Sequence, residues 1–122
     1  MHIIFGQDEA HTISSKYTVL ELDIIQVGIN GPKVQAYCVI ENLPILDLPQ
    51  VESMSLLHKN LMSHYGKQDW KYCLDAIETL TGFWGGEVDS FYTEMSQRIA
   101  QFQDKSPGPD WDPVVLKLEM HS

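Results

Sequence analysis

The chain has 122 residues, 43% of them apolar, and a formal net charge of −9. Such a length suits one domain that buries roughly two thirds of the surface its unfolded form exposes, and such a composition points to neither disorder nor a membrane class. The eight lysines and arginines are scattered, so a broad phosphate-tracking face on one copy is not expected, although a ring of copies would gather several lysines around one opening.

The apolar pattern changes period near residue 45. Through residue 42 it comes in short β-rich runs; from 47 to 104 it recurs at three- and four-residue intervals. The pattern predicts a single domain over 1–122: a β part, a helical part and a tail over 105–122.

Residues 2–5 read as a first strand ending at Gly6, and polar residues 7–16 as a loop or a single helical turn. Residues 17–25 carry the strongest strand pattern. Thr18, Leu20, Leu22 and Ile24 make a face to be buried; Tyr17, Val19, Glu21, Asp23 and Ile25 make a half-covered one. Residues 34–40 suit pairing with it, Val34, Ala36, Cys38 and Ile40 on one face and Gln35, Tyr37 and Val39 on the other. Asn30-Gly31 between the runs is a strong turn dipeptide, and Pro32 lacks an amide donor. An antiparallel hairpin is expected.

Residues 43–49, with two prolines, read as a linker from sheet to helix. A first helix then runs to about Tyr65, with Met54, Leu57, Leu61 and Tyr65 on its apolar side and Gly66 placed to stop it in a left-handed conformation. Asp69 is the expected cap of a second helix with the stripe Trp70, Cys73, Leu74, Ile77 and Leu80. After Phe83-Trp84-Gly85-Gly86, Glu87 and Asp89 suit the start of a third helix, whose stripe is Val88, Phe91, Tyr92, Met95, Ile99 and Phe102. Ser106-Pro107-Gly108-Pro109 breaks it. Residues 114–118 suit either an edge strand or a tail packed by Trp111.

The chemistry-bearing residues form no motif. None of the five histidines has the i, i+4 spacing of a helical metal pair. Cys38 and Cys73 sit among apolar neighbours and read as buried free thiols of a reducing compartment. The serines lack a nucleophile elbow, and residues 82–86 lack the strand and Lys-Ser/Thr of a phosphate loop. No catalytic residue, metal ligand or cofactor is assigned. The chain also lacks a signal-peptide pattern and a long apolar run, which predicts a cytoplasmic protein with no membrane partner. Tyr17 and Tyr37 suit stacking on bases, or else cross-strand packing or a subunit contact.

The runs Ile3-Ile4-Phe5-Gly6, Tyr17-Thr18-Val19-Leu20-Glu21-Leu22-Asp23 and Tyr37-Cys38-Val39-Ile40 stand beside two later ones. These are Gly85-Gly86-Glu87-Val88-Asp89-Ser90-Phe91-Tyr92 and Pro109-Asp110-Trp111-Asp112. Together they resemble a family of small proteins from cyanophages and marine metagenomes. The resemblance spans nearly the whole chain and implies an Sm-like fold, a strongly bent small barrel that assembles into rings. Nucleic-acid binding through a ring surface is its implied activity. The chain departs from the Sm signatures: of the Asn and Arg-Gly elements of the RNA pocket, only Asn30 has an echo here.

These readings combine into one expectation. The fold is α+β, a small bent antiparallel N-terminal sheet, Sm-like by resemblance, followed by three helices. The function is that of a non-enzymatic, ring-forming phage accessory protein binding single-stranded RNA or DNA, with Tyr17, Asn30, Lys33 and Tyr37 as contact residues and the host cytoplasm as location. The alternative is a protein-interaction module whose acidic helical face docks a basic partner.

Overall fold

The computed structural model describes residues 2–28, 30–40 and 48–117. Its elements run β1 (His2–Phe5), α1 (Gln7–Ile13), β2 (Thr18–Val27), β3 (Lys33–Ile40), α2 (Leu48–Gly66), α3 (Trp70–Leu80), α4 (Asp89–Asp104) and β4 (Val114–Lys117). The fold is α+β. The strands lie in the order β1-β3-β2-β4, with β3 antiparallel to both β1 and β2 and β4 parallel to β2. Three helices follow the hairpin, and the barrel closure that the resemblance implies is not seen among the described residues.

One face of the sheet carries the main core. Leu20, Leu22, Ala36, Cys38 and Ile40 pack there against Leu61, Ile77, Leu80, Trp84, Tyr92, Met95 and Ile99 from the helical part. The other face holds a smaller cluster of Ile4, Ala10 and Val39, flanked by Ile13, Val19 and Tyr37. Ala10 and Ile13 belong to α1, so residues 7–13, expected as loop or a single turn, form a seven-residue helix. Its apolar i, i+3 pair is enough to seat it on the strand face that β1 and β3 expose.

The period-2 reading of β2 holds only as far as Glu21. That residue pairs with Tyr37, and Ile24 pairs with Gln35, so Leu22 and Asp23 together oppose Ala36. This is a β-bulge. It reverses the faces downstream: Asp23 and Ile25, expected on the half-covered face, turn to the helices, where Asp23 meets Arg98 and Ile25 joins the main core. Gln35 stabilises the bulge. Its side-chain amide donates to the Leu22 carbonyl at 2.6 Å and to the Ala36 carbonyl at 2.9 Å.

The hairpin loop also differs in detail. Its left-handed residue is Gly28 (φ 78°), not Asn30-Gly31. The Gly31 amide donates to the Gly28 carbonyl, and a Cβ at Gly31 would run into the Val27 carbonyl, so close approach explains that glycine. At the end of α2 the left-handed conformation falls on Gln68 (φ 61°), not on Gly66. Gln68 is held there by a side-chain bond to the Gly108 carbonyl at 2.7 Å.

Pro49 occupies the first turn of α2, where its missing amide costs nothing. The expected linker lies outside the described residues up to residue 47. Asp69 caps α3 by accepting from the Tyr72 amide. Asp89 opens α4 and accepts from the Gly82 amide at 2.8 Å, which ties both ends of the 81–88 connection together. Beyond α4, Trp111 packs against Tyr65, Trp70 and Phe102 at ring-centre distances of 5.2, 5.6 and 5.1 Å. That aromatic anchor delivers the chain to β4. Among the described residues no helix is long and apolar enough to cross a membrane.

Candidate interaction surface

The deepest polar feature is a chain of hydrogen bonds through the main core. His58 occupies a core position on α2, between Met54 and Leu61, and is 1% exposed. Its Nε2 lies 2.6 Å from the Glu21 carbonyl and its Nδ1 lies 2.9 Å from the Tyr92 hydroxyl. A carbonyl only accepts, so Nε2 carries the proton. Nδ1 then accepts from the Tyr92 hydroxyl, whose oxygen accepts the Trp84 indole N–H at 3.1 Å. Every role is consistent with a neutral imidazole. Burial lowers the His58 pKa below its ordinary value, opposed in part by the bond to Glu21, and burial pushes the Tyr92 hydroxyl well up. The β2 bulge follows directly after Glu21, and β4 pairs with β2 only from Ile24 onward. His58 therefore satisfies a strand carbonyl that no neighbouring strand reaches among the described residues.

A second polar contact joins β2 to α4. Arg98 donates to both carboxylate oxygens of Asp23, at 2.8 and 3.0 Å, and to Glu94 at 2.8 Å. The bond to Asp23 raises the Arg98 pKa and keeps the guanidinium charged. Both cysteines are buried and free; burial raises Cys38 to about 11 and Cys73 to about 12. Neither is a thiolate nucleophile at neutral pH.

The four residues expected to contact nucleic acid fall in separate places. Tyr17 is exposed just before β2, and Asn30 is exposed in the hairpin loop. Lys33 is tied to Asp112 by an ion pair of 2.6 Å. Tyr37 packs beside α1 against the smaller cluster, with burial raising its pKa. Thr18 pairs with Ile40 and Lys33 with Gln26, so Tyr17 and Lys33 lie roughly 26 Å apart along the hairpin. Lys33 and Tyr37 share a strand and a face, but the four do not form one continuous surface on a single copy.

No family model, curated protein or solved structure matches this chain. The surface itself is then the guide to function. Two features stand out. The first is the helical layer formed by α3 and α4. Residues 69–104 hold seven acids and two bases. Lys71, Asp75 and Glu78 follow one exposed side of α3; Glu94, Gln97, Gln101 and Asp104 follow one exposed side of α4. With Arg98 engaged by Asp23 and Glu94, Lys71 is the remaining cation of that layer. The second is the β1 edge, where Ile3 and Phe5 are exposed. Sequence reasoning expects an exposed sheet edge that favours self-association but does not place it on β1, because the apolar run of residues 2–5 reads equally well as a buried strand.

Proposed function

We propose that this protein is a non-enzymatic interaction module whose acidic α3–α4 face docks a basic polypeptide segment. The observation that carries the reading is the asymmetry of the charges. Arg98 is held by Asp23 and Glu94 and Lys33 by Asp112 in an exposed pair, while Asp75, Glu78 and Asp104 remain exposed on neighbouring helices. A surplus of one sign on one face steers a partner of the opposite sign and raises its association rate. Every buried side-chain nitrogen or oxygen among the described residues has a hydrogen-bond partner.

The test is a titration with a lysine-rich peptide at low and high salt. Binding at low salt that weakens as salt rises is expected. Asp75→Lys and Glu78→Lys should each weaken it roughly three- to tenfold, up to about 1.4 kcal/mol. Failure to bind the peptide at low salt overturns the reading. Retention of a single-stranded oligonucleotide that is lost in Lys33→Ala or Tyr37→Ala would replace it with nucleic-acid binding.

A further inference from the structure

Residues 105–117 cross from the end of α4 to the side of β2 that faces away from β3. Trp111 sits half-buried in a slot made by one ring from each long helix: Tyr65 of α2, Trp70 of α3 and Phe102 of α4. Gln68 donates to the Gly108 carbonyl, and Lys33 pairs with Asp112. The segment then lies parallel to β2, Val114 to Lys117 against Ile24 to Val27. An aromatic anchor followed by a strand added to a sheet edge is also how a fold receives an extended peptide.

The seat holds this segment loosely. Both side chains of the Lys33–Asp112 pair are more than half exposed, so salt screens the pair and it contributes little. A cleft of about 90 Å³ stays open between Pro113 and Ile24, Met62 and Tyr65, where a core would be filled. Pro107, Pro109 and Pro113 have no amide to donate. The Gly108 and Trp111 amides are satisfied inside the segment, by the Ser106 hydroxyl and the Gly108 carbonyl. Lifting the segment therefore leaves these backbone groups paired. It also frees Gln68 from a left-handed conformation (φ 61°) that is costly for a residue with a Cβ and that the bond to Gly108 holds in place.

We propose that residues 105–117 are an autoinhibitory strap. The segment opens as one unit, ahead of the rest of the domain, and bares a site for an extended segment of its own chemistry: an aromatic residue, an acid and a short β-forming run. The slot of Tyr65, Trp70 and Phe102 takes the ring, Lys33 the acid, and the β2 edge the backbone that follows. In the closed state the tail fills that site from within the chain. Its effective concentration there is of the order of mM, so an outside segment competes poorly. The site uses the inward rings of α3 and α4 and not their exposed acids, so it stands apart from the acidic docking face.

The test is a calorimetric titration of a synthetic peptide of residues 105–117 into the full chain and into full-length Trp111→Ala. Loss of the anchor opens the strap, so the peptide should bind the variant roughly tenfold or more tightly than the original chain. The same peptide carrying Trp111→Ala should bind neither. A variant that binds the peptide no more tightly than the original chain, or a chain that retains the alanine peptide, overturns the proposal. Hydrogen exchange on the unaltered chain is a second measurement, which stands even where Trp111→Ala fails to fold. The amides that bond β4 to β2 should exchange as one set, roughly tenfold or more faster than those of the β2–β3 ladder. Exchange of both sets at one rate, or loss of the β4 amides one at a time from the chain end, overturns the strap.

Discussion

His58 shows how a single side chain can be decisive without being catalytic. Its neutral tautomer is fixed at both nitrogens, by the Glu21 carbonyl and the Tyr92 hydroxyl. Protonation at Nδ1 would turn an acceptor into a donor aimed at an oxygen that already receives Trp84, leaving the Tyr92 hydrogen without its acceptor. The folded pKa of His58 lies below its unfolded value. Its stabilising effect is therefore complete above the unfolded pKa and is lost as pH falls below it toward the folded value. Denaturant unfolding should show stability falling by up to about 1.4 kcal/mol per pH unit below roughly pH 6.5, and His58→Gln should flatten that slope. Tyr92→Phe strands both neighbours and should cost roughly 2–4 kcal/mol by the same measurement. The two thiols should react with a disulfide reagent only after unfolding, a readout that separates buried cysteines from nucleophiles. The sequence reading puts Met54, Leu57, Leu61 and Tyr65 on the apolar side of this helix and assigns His58 no place there, although His58 has the i+4 and i−3 spacing from Met54 and Leu61 of a core residue. Its partners are not legible at all, because Glu21 and Tyr92 are distant in sequence and meet it only through the tertiary fold.

At the scale of elements, the hairpin, the three long helices and the Asp69 cap follow from local patterns that the tertiary structure leaves intact. The bulge does not. Nothing in Glu21-Leu22-Asp23-Ile24 interrupts the alternation; the extra residue is held by Gln35 and by the pull of Arg98 on Asp23, both from other parts of the chain. Gln35→Leu should therefore destabilise the protein by roughly 1–3 kcal/mol, since the Leu22 carbonyl loses its donor. Asp23→Asn should cost a similar roughly 1–3 kcal/mol, less than for a fully buried pair because both side chains keep some contact with water. Thermal or denaturant unfolding checks both. The helix α1 was hidden by its polarity: its apolar content is confined to Ala10 and Ile13, and only the strand face beneath gives them something to cover.

Across the whole molecule, charge divides the surface. The helical layer keeps its acids outward, while the sheet offers an acid-free apolar edge at β1. The acidic layer is the face proposed to dock a basic partner, and the β1 edge lies outside the cover of the helices. The acidic balance was plain from composition and its concentration over residues 69–104 from the sequence, but which of those acids stay exposed depended on the fold. Amide NMR of the isotopically labelled chain, titrated with a lysine-rich peptide at low salt, locates the docking face residue by residue. Shifts centred on residues 71–78 and 94–104, reversed by added salt, are the result expected of an acidic docking face. Shifts centred instead on Tyr17, Lys33 and Tyr37, or no shifts at all, would contradict it.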